Sequence, residues 1–235
     1  MNLVLLFDDD FLSGEKVRLV GRRLEHVRGV HRAELGDELT VGHLGGAMGR
    51  GLITRLDNDC LEMDVVLDQP PPPKLPLRLI LALPRPKVLN RVIASATSQG
   101  VARIDLVNAW RVEKSYWKSP QLGEENLRLQ RILGLEQAKD TGLPDLHLHR
   151  LLRPFVEDEL PTIAKDTLAL VAHPGAVVPC PRGLNQPVTL AIGPEGGFIP
   201  AEVELLARSG FQPVSLGDRI LRVETAVAAL VARLF

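Results

Sequence analysis

Residues 37–67 alternate short apolar runs with Gly, Asn and Asp, as in Glu38-Leu39-Thr40-Val41, Gly51-Leu52-Ile53-Thr54 and Leu61-Glu62-Met63-Asp64-Val65-Val66. That alternation predicts short antiparallel strands joined by turns, hence a small barrel or sandwich. Upstream, the run Leu3–Phe7 stops at Asp8, Asp9 and Asp10 and reads as one more strand. Downstream come Pro70 to Pro73, which can continue neither a sheet ladder nor a helix interior. We place a domain boundary there, giving residues 1–72 and 73–235.

Past the prolines the pattern changes. Apolar runs recur at Leu77–Leu83, Ile104–Val107, Leu168–Ala172, Val188–Ile192 and Pro213–Leu216, separated by segments of helical periodicity. Near-continuous apolar strands alternating with helices predict an α/β domain with a parallel sheet covered on both faces. Pro200 and Gly210 bracket one helix, the proline inside its start and the glycine past its end. Val223, Ala226, Val227, Leu230, Val231 and Leu234 form the buried stripe of a last helix.

Net charge is −1, but it is unevenly spread. Residues 1–73 carry 8 Lys/Arg against 13 Asp/Glu, residues 74–158 carry 14 against 9, and residues 159–235 carry 6 against 7. Even the acidic first segment holds a basic cluster, with Arg22, Arg23, His26, Arg28 and Arg32 among its members. Such a patch is what phosphate contact needs, although charge runs often form nothing more than a solvated face. Leu3–Phe7 falls far short of the roughly 20 apolar residues of a membrane span, and no signal-peptide flank precedes it, so a cytoplasmic protein is expected. Cys60 and Cys180 show neither disulfide nor zinc spacing and are expected as buried packing, with no metal.

The candidate chemistry sits in the loops after the strands: Pro84-Arg85-Pro86-Lys87, His173-Pro174-Gly175, Gly193-Pro194-Glu195-Gly196-Gly197 and Gly217–Arg222. In open α/β sheets ligands bind outside the carboxyl ends of the strands, where these loops fall. Glycines there let backbone approach a ligand closely. The glycine run is neither a Walker A loop nor a dinucleotide fingerprint, which disfavours a phosphate cradle and a nucleotide-dependent oxidoreductase. Arg222 and Glu224 stand at a helix start, where Glu224 also suits the positive end of the helix.

Taken together, Ala191–Phe198 with Glu202, then Leu216-Gly217, Arg219–Arg222 and Glu224-Thr225-Ala226, resemble the RsmE family, whose enzymes methylate N3 of a uridine in 16S ribosomal RNA. His26, Val30, Arg32 and Gly36-Asp37 extend the resemblance into the first domain. The resemblance implies a PUA-like β-barrel followed by a SPOUT-type α/β domain with a deep trefoil knot, acting as a homodimer on the small ribosomal subunit. By the same resemblance Ile192, Gly193, Gly196, Leu216, Gly217, Ile220 and Leu221 line an S-adenosylmethionine pocket, with His173, Pro174 and Gly175 as another wall. Arg222 and Glu224 face the uridine, Arg222 donating to a uracil carbonyl and Glu224 serving as base or orienting Arg222.

The middle of the chain departs from that family. Ser95 and Ser98-Gln99-Gly100 stand where Lys and Glu-Leu-Gly are common, Ala109-Trp110-Arg111 replaces Ser-Glu-Arg, and Ala138-Lys139-Asp140 follows Glu136-Gln137. These changes bear on RNA contacts and leave the donor loops intact. Within Trp110–Lys118, aromatics alternate with cations including Arg111 and Lys114. That pattern fits either RNA bases stacked over the rings with phosphates on the cations, or an amphipathic segment packed on the core or on a second copy. An alternative function is an RNA-binding ribosome assembly factor with the same fold and no transfer activity.

Overall fold

The computed structural model describes residues 2–235, which divide into two compact units. One comprises the described residues up to Pro73 together with Ile132–Leu143, and the other Lys74–Arg131 together with Pro144–Phe235. The units part between Pro73 and Lys74, and residues 132–143 belong with the first. There Ile132 and Leu135 share a buried cluster with Leu3 and Leu5, and the N–H groups of Asn2 and Leu3 donate to the Glu136 carbonyl at 2.9 and 3.0 Å.

The first unit is built on six strands: β1 (Val4–Leu6), β2 (Phe11–Ser13), β3 (Lys16–Leu19), β4 (Glu38–His43), β5 (Met48–Leu56) and β6 (Leu61–Gln69). They form one sheet in the order β1-β4-β5-β6-β3-β2, with only β1 and β4 parallel. Alternation along β6 buries Leu61, Met63 and Val65 and turns Glu62, Asp64 and Val66 outward, as a half-buried strand requires. Helix α1 (Arg22–His26) continues into a π-helical turn, Val27–His31, and contributes Leu24 and Val27 to the core.

The second unit carries an all-parallel sheet of β7 (Leu75–Ala82), β8 (Val101–Val107), β9 (Asp145–His149), β10 (Leu168–Ala172), β11 (Val188–Ile192) and β12 (Gln212–Val214), in the order β12-β10-β11-β7-β8-β9. Every residue of central β11 is buried, which explains its unbroken apolar run. The edge strand β9 escapes the hydrophobic pattern because its Asp-Leu-His-Leu-His sequence is mostly exposed. It is fastened by a polar link: buried Asp105 on β8 accepts from His149 at 2.8 Å and from Arg103 through two bonds of 2.8 Å.

Helices α2 (Pro86–Ser98), α6 (Pro200–Arg208) and α7 (Val223–Leu234) belong to this unit, and α3 (Glu124–Ala138) contributes residues to both. The short helices α4 (Leu152–Pro154) and α5 (Leu160–Ile163) flank a π-helical turn that buries Phe155 and Val156. Val223, Val227, Leu230, Val231 and Leu234 of α7 are buried, while Ala226 is only partly so. Cys60 and Cys180 are both free and buried. No helix among the described residues is long and apolar enough to cross a membrane, and no three His, Cys, Asp or Glu among them are grouped to hold a metal ion.

Candidate active site

Chain order and spatial order diverge at the centre of the second sheet, where β7 neighbours both β8 and β11. From β7 the chain builds outward through β8 and β9, then crosses to the other side to lay down β10, β11 and β12. A ligand crevice is expected at the carboxyl ends of strands around such a reversal. A cleft of about 700 Å³ lies there, within the range of small-molecule sites. The loops after β7, β10, β11 and β12 all contribute to it, with Arg111 from the loop after β8 and the start of α7.

His173, Pro174, Ile192, Gly193, Gly196, Leu216, Gly217, Ile220, Leu221, Arg222 and Glu224, drawn from segments far apart in sequence, all line this one cleft. Gly175 follows in the same turn but is outside the lining. The glycine loop is tightly made. The Gly197 N–H donates to the Pro194 carbonyl at 2.7 Å, and a Cβ on Gly193 would lie 2.7 Å from the Phe198 nitrogen, so backbone alone fits there. Across the cleft, Glu195 accepts from the Arg85 N–H at 2.9 Å, tying the loop after β11 to the loop after β7.

Five arginines, Arg85, Arg91, Arg111, Arg219 and Arg222, line the cleft against two carboxylates, Glu195 and Glu224. A lining of that sign draws in a polyanion. Arg91 and Glu224 form an ion pair at 3.8 Å, and the Arg111 guanidinium donates to the Gly196 carbonyl. Arg85 and Arg219 stand in loops already singled out from the sequence, though without a role there, and Arg91 stands in none of them. A spacing of three from Arg85 through Val88 to Arg91, running onto α2, is the sequence signal that would have found it.

Glu202 has a role that motif reading did not assign. It is 8% exposed and accepts from two backbone N–H groups, Ile199 at the start of α6 at 2.9 Å and Trp110 at 2.7 Å. One buried carboxylate therefore fixes the loop that carries Arg111.

The basic cluster of the first unit is more engaged than its composition suggests. Arg22 makes two bonds of 2.7 and 2.8 Å to Glu136, whose side chain is almost fully buried, and that hydrogen bonding raises the Arg22 pKa. Arg23 reaches Asp10 at 2.5 and 2.7 Å and the Leu5 carbonyl at 2.7 Å. Arg28 donates to Asn58 at 2.7 Å and is exposed, as are Arg32 and, in the second unit, Lys114. His26 packs edge-on against His31 at 5.2 Å, and burial lowers its pKa.

The model of an RNA methyltransferase domain matches residues 71–235. A curated relative from Treponema pallidum named Ribosomal RNA small subunit methyltransferase E is 28% identical over 99% of this chain and 90% of its own length. Among solved structures, a Legionella pneumophila protein in complex with S-adenosylmethionine as bound cofactor superposes with a TM-score of 0.75 at 25% identity, covering 98% of this chain and 95% of that one. A ribosomal RNA small subunit methyltransferase E from Neisseria gonorrhoeae, bound to S-adenosylmethionine, gives a TM-score of 0.76 at 22% identity with the same coverage, a likeness of fold.

Proposed function

The chain belongs to the RsmE family of RNA methyltransferases, and from that premise we propose that it transfers a methyl group from S-adenosylmethionine to N3 of one uridine in 16S ribosomal RNA of the small subunit. The observation that carries this reading is the cleft, where a glycine loop with no room for a Cβ at Gly193 stands beside five arginines. Its volume suits a nucleoside-sized donor, and backbone at Gly193, Gly196 and Gly217 offers N–H and C=O groups to a base and its sugar. Ile192, Leu216, Ile220 and Leu221 supply apolar contact, with His173 and Pro174 as a further wall.

When bound, the donor supplies an electrophilic methyl group on a cationic sulfur that leaves as a neutral thioether. The work left to the protein concerns the nucleophile, because uracil N3 carries a proton and its lone pair is delocalised into two carbonyls. Arg222, exposed at the N-cap of α7, donates to a uracil oxygen as negative charge develops on it. Glu224, in the first turn of α7 with Arg91 beside it, takes the N3 proton as the N–C bond forms.

In the same proposal residues 1–72 are a PUA-like barrel that holds RNA, and residues 73–235 are a SPOUT-type domain with a trefoil knot, working in the cytoplasm as a homodimer. Arg28, Arg32 and His26 meet phosphates from a surface that Arg22 and Arg23 help to shape, while Arg111 and Lys114 do so beside the cleft. The test is methyl transfer from labelled S-adenosylmethionine to small subunits from a strain lacking the gene, with the product nucleoside identified by mass spectrometry. We expect 3-methyluridine at a single site. Label on another base or another RNA overturns the substrate assignment, and absence of donor binding by calorimetry favours the assembly factor.

A further inference from the structure

The two tryptophans of the chain have opposite fates. Trp117 is half-buried against the core of the second unit, its indole N–H donates to Asn108 at 2.9 Å, and the Arg150 guanidinium lies over its ring at 5.4 Å. Those contacts account for it as packing. Trp110 is 80% exposed. Tryptophan is highly buried on average, and a protruding aromatic marks a surface that a partner covers.

The backbone under Trp110 is fixed on every side. Its N–H is held by buried Glu202 at 2.7 Å, its neighbours Ala109 and Val112 are buried, and the Val112 N–H closes the turn on the Ala109 carbonyl at 3.0 Å. Arg111, the next residue, both lines the cleft and donates to the Gly196 carbonyl of its glycine loop. The indole thus stands on a pinned turn, one residue from the cleft wall and outside the lining itself. A large ring with few torsions on a fixed backbone loses little freedom when something stacks on it.

We propose that Trp110 is a stacking platform for the base of a nucleotide adjoining the target uridine in the RNA substrate. The charge around it selects this occupant, since Arg111, exposed Lys114 and the arginines of the cleft favour a chain of phosphates over an apolar peptide. A uracil whose N3 must enter the cleft has to leave its stack, and the base exposed beside it finds the indole face. The inference rests on the reading of the cleft as an RNA-modifying site.

Stacking of one base on an aromatic ring corresponds to about 5- to 150-fold in affinity. Trp110→Ala is therefore expected to raise the KM for small subunits by about that factor, with kcat and the donor affinity by calorimetry nearly unchanged, and Trp110→Phe is expected to restore most of the loss. Short oligouridine is expected to quench tryptophan emission of the wild-type protein and not that of Trp110→Phe, in which Trp117 alone emits. An unchanged KM in Trp110→Ala, or quenching that persists in Trp110→Phe, overturns the proposal. So does a wild-type dimer that becomes a monomer in Trp110→Ala by light scattering, because the ring would then belong to a contact between copies. If the wild-type protein methylates no RNA, the functional reading falls, while the oligouridine measurement still decides the platform.

Discussion

Gly193→Ala tests the construction of the cleft most directly. The added methyl would lie 2.7 Å from the Phe198 nitrogen, 3.1 Å from the Gly197 carbonyl carbon and 3.2 Å from the Gly197 Cα, all backbone atoms. The loop has little freedom to yield, because Phe198 is buried at 3% exposure and Gly193 directly follows the fully buried β11. Overpacking of this kind costs about 1–3 kcal/mol. If the loop shifts to relieve the strain, the loss appears as donor affinity weakened by about 5- to 150-fold. If it does not, each kcal/mol retained lowers the melting midpoint by roughly 2–4 °C for a chain of this size.

Two other glycines provide internal controls. A Cβ on Gly196 would meet the Arg111 Cδ at 2.9 Å, and one on Gly175 would meet the His173 Nε2 at 3.3 Å, both on side chains that can move. Calorimetric titration with S-adenosylmethionine and thermal melts on the three alanine variants should rank Gly193 well ahead of Gly196, with Gly175 near wild type. Wild-type affinity together with wild-type melting in Gly193→Ala would refute the steric reasoning.

Arg222→Ala is expected to slow methyl transfer by about 10²- to 10³-fold, the usual cost of losing one donor to a developing oxyanion, without lowering the melting midpoint, since the side chain is exposed. Single-turnover rates at saturating donor check the first part and a thermal melt the second. Glu202→Ala orphans the N–H groups of Ile199 and Trp110, so urea unfolding should show a loss of about 1–3 kcal/mol, and RNA affinity should fall with it as the Arg111 loop loosens. A Glu202→Ala protein with an unchanged urea midpoint would contradict the bracing role. Asp57 accepts from the backbone N–H groups of Cys60 and Asp59 in the β5–β6 turn, which lowers its carboxyl from an ordinary 3.8 to about 2. A depressed folded-state value stabilises the turn above about pH 4, with the stabilisation lost as pH falls through about 2. Amide NMR of Cys60 should follow that titration, and the response should vanish in Asp57→Asn.

The type of most elements is written in local sequence. An unbroken apolar run belongs to a strand covered on both faces, and β10 and β11 coincide with theirs at Leu168–Ala172 and Val188–Ile192. A stripe at spacings of three and four gives α7, and proline inside the start with glycine past the end gives α6. The loops after the strands were legible as a candidate site because residues that permit close backbone approach stand there together. Burial period and backbone sterics are properties of a few neighbouring residues, so sequence alone determines them.

Which strands lie side by side is set by packing between distant segments, and only the tertiary structure supplied it. The order β12-β10-β11-β7-β8-β9 brings Arg85 and Arg91 to the glycine loop about a hundred residues later, turning separate motifs into one cleft. Ion pairing was equally hidden: Arg22 looks like a solvated cation until Glu136, 114 residues away, is found beside it, and Arg23 until Asp10 is. The same holds for Trp110 and Trp117, indistinguishable by composition and only seven residues apart, of which one packs and the other protrudes. A charge or a ring carries its chemistry in the sequence, but whether it is already satisfied depends on what the fold places against it, and that is fixed by long-range packing alone.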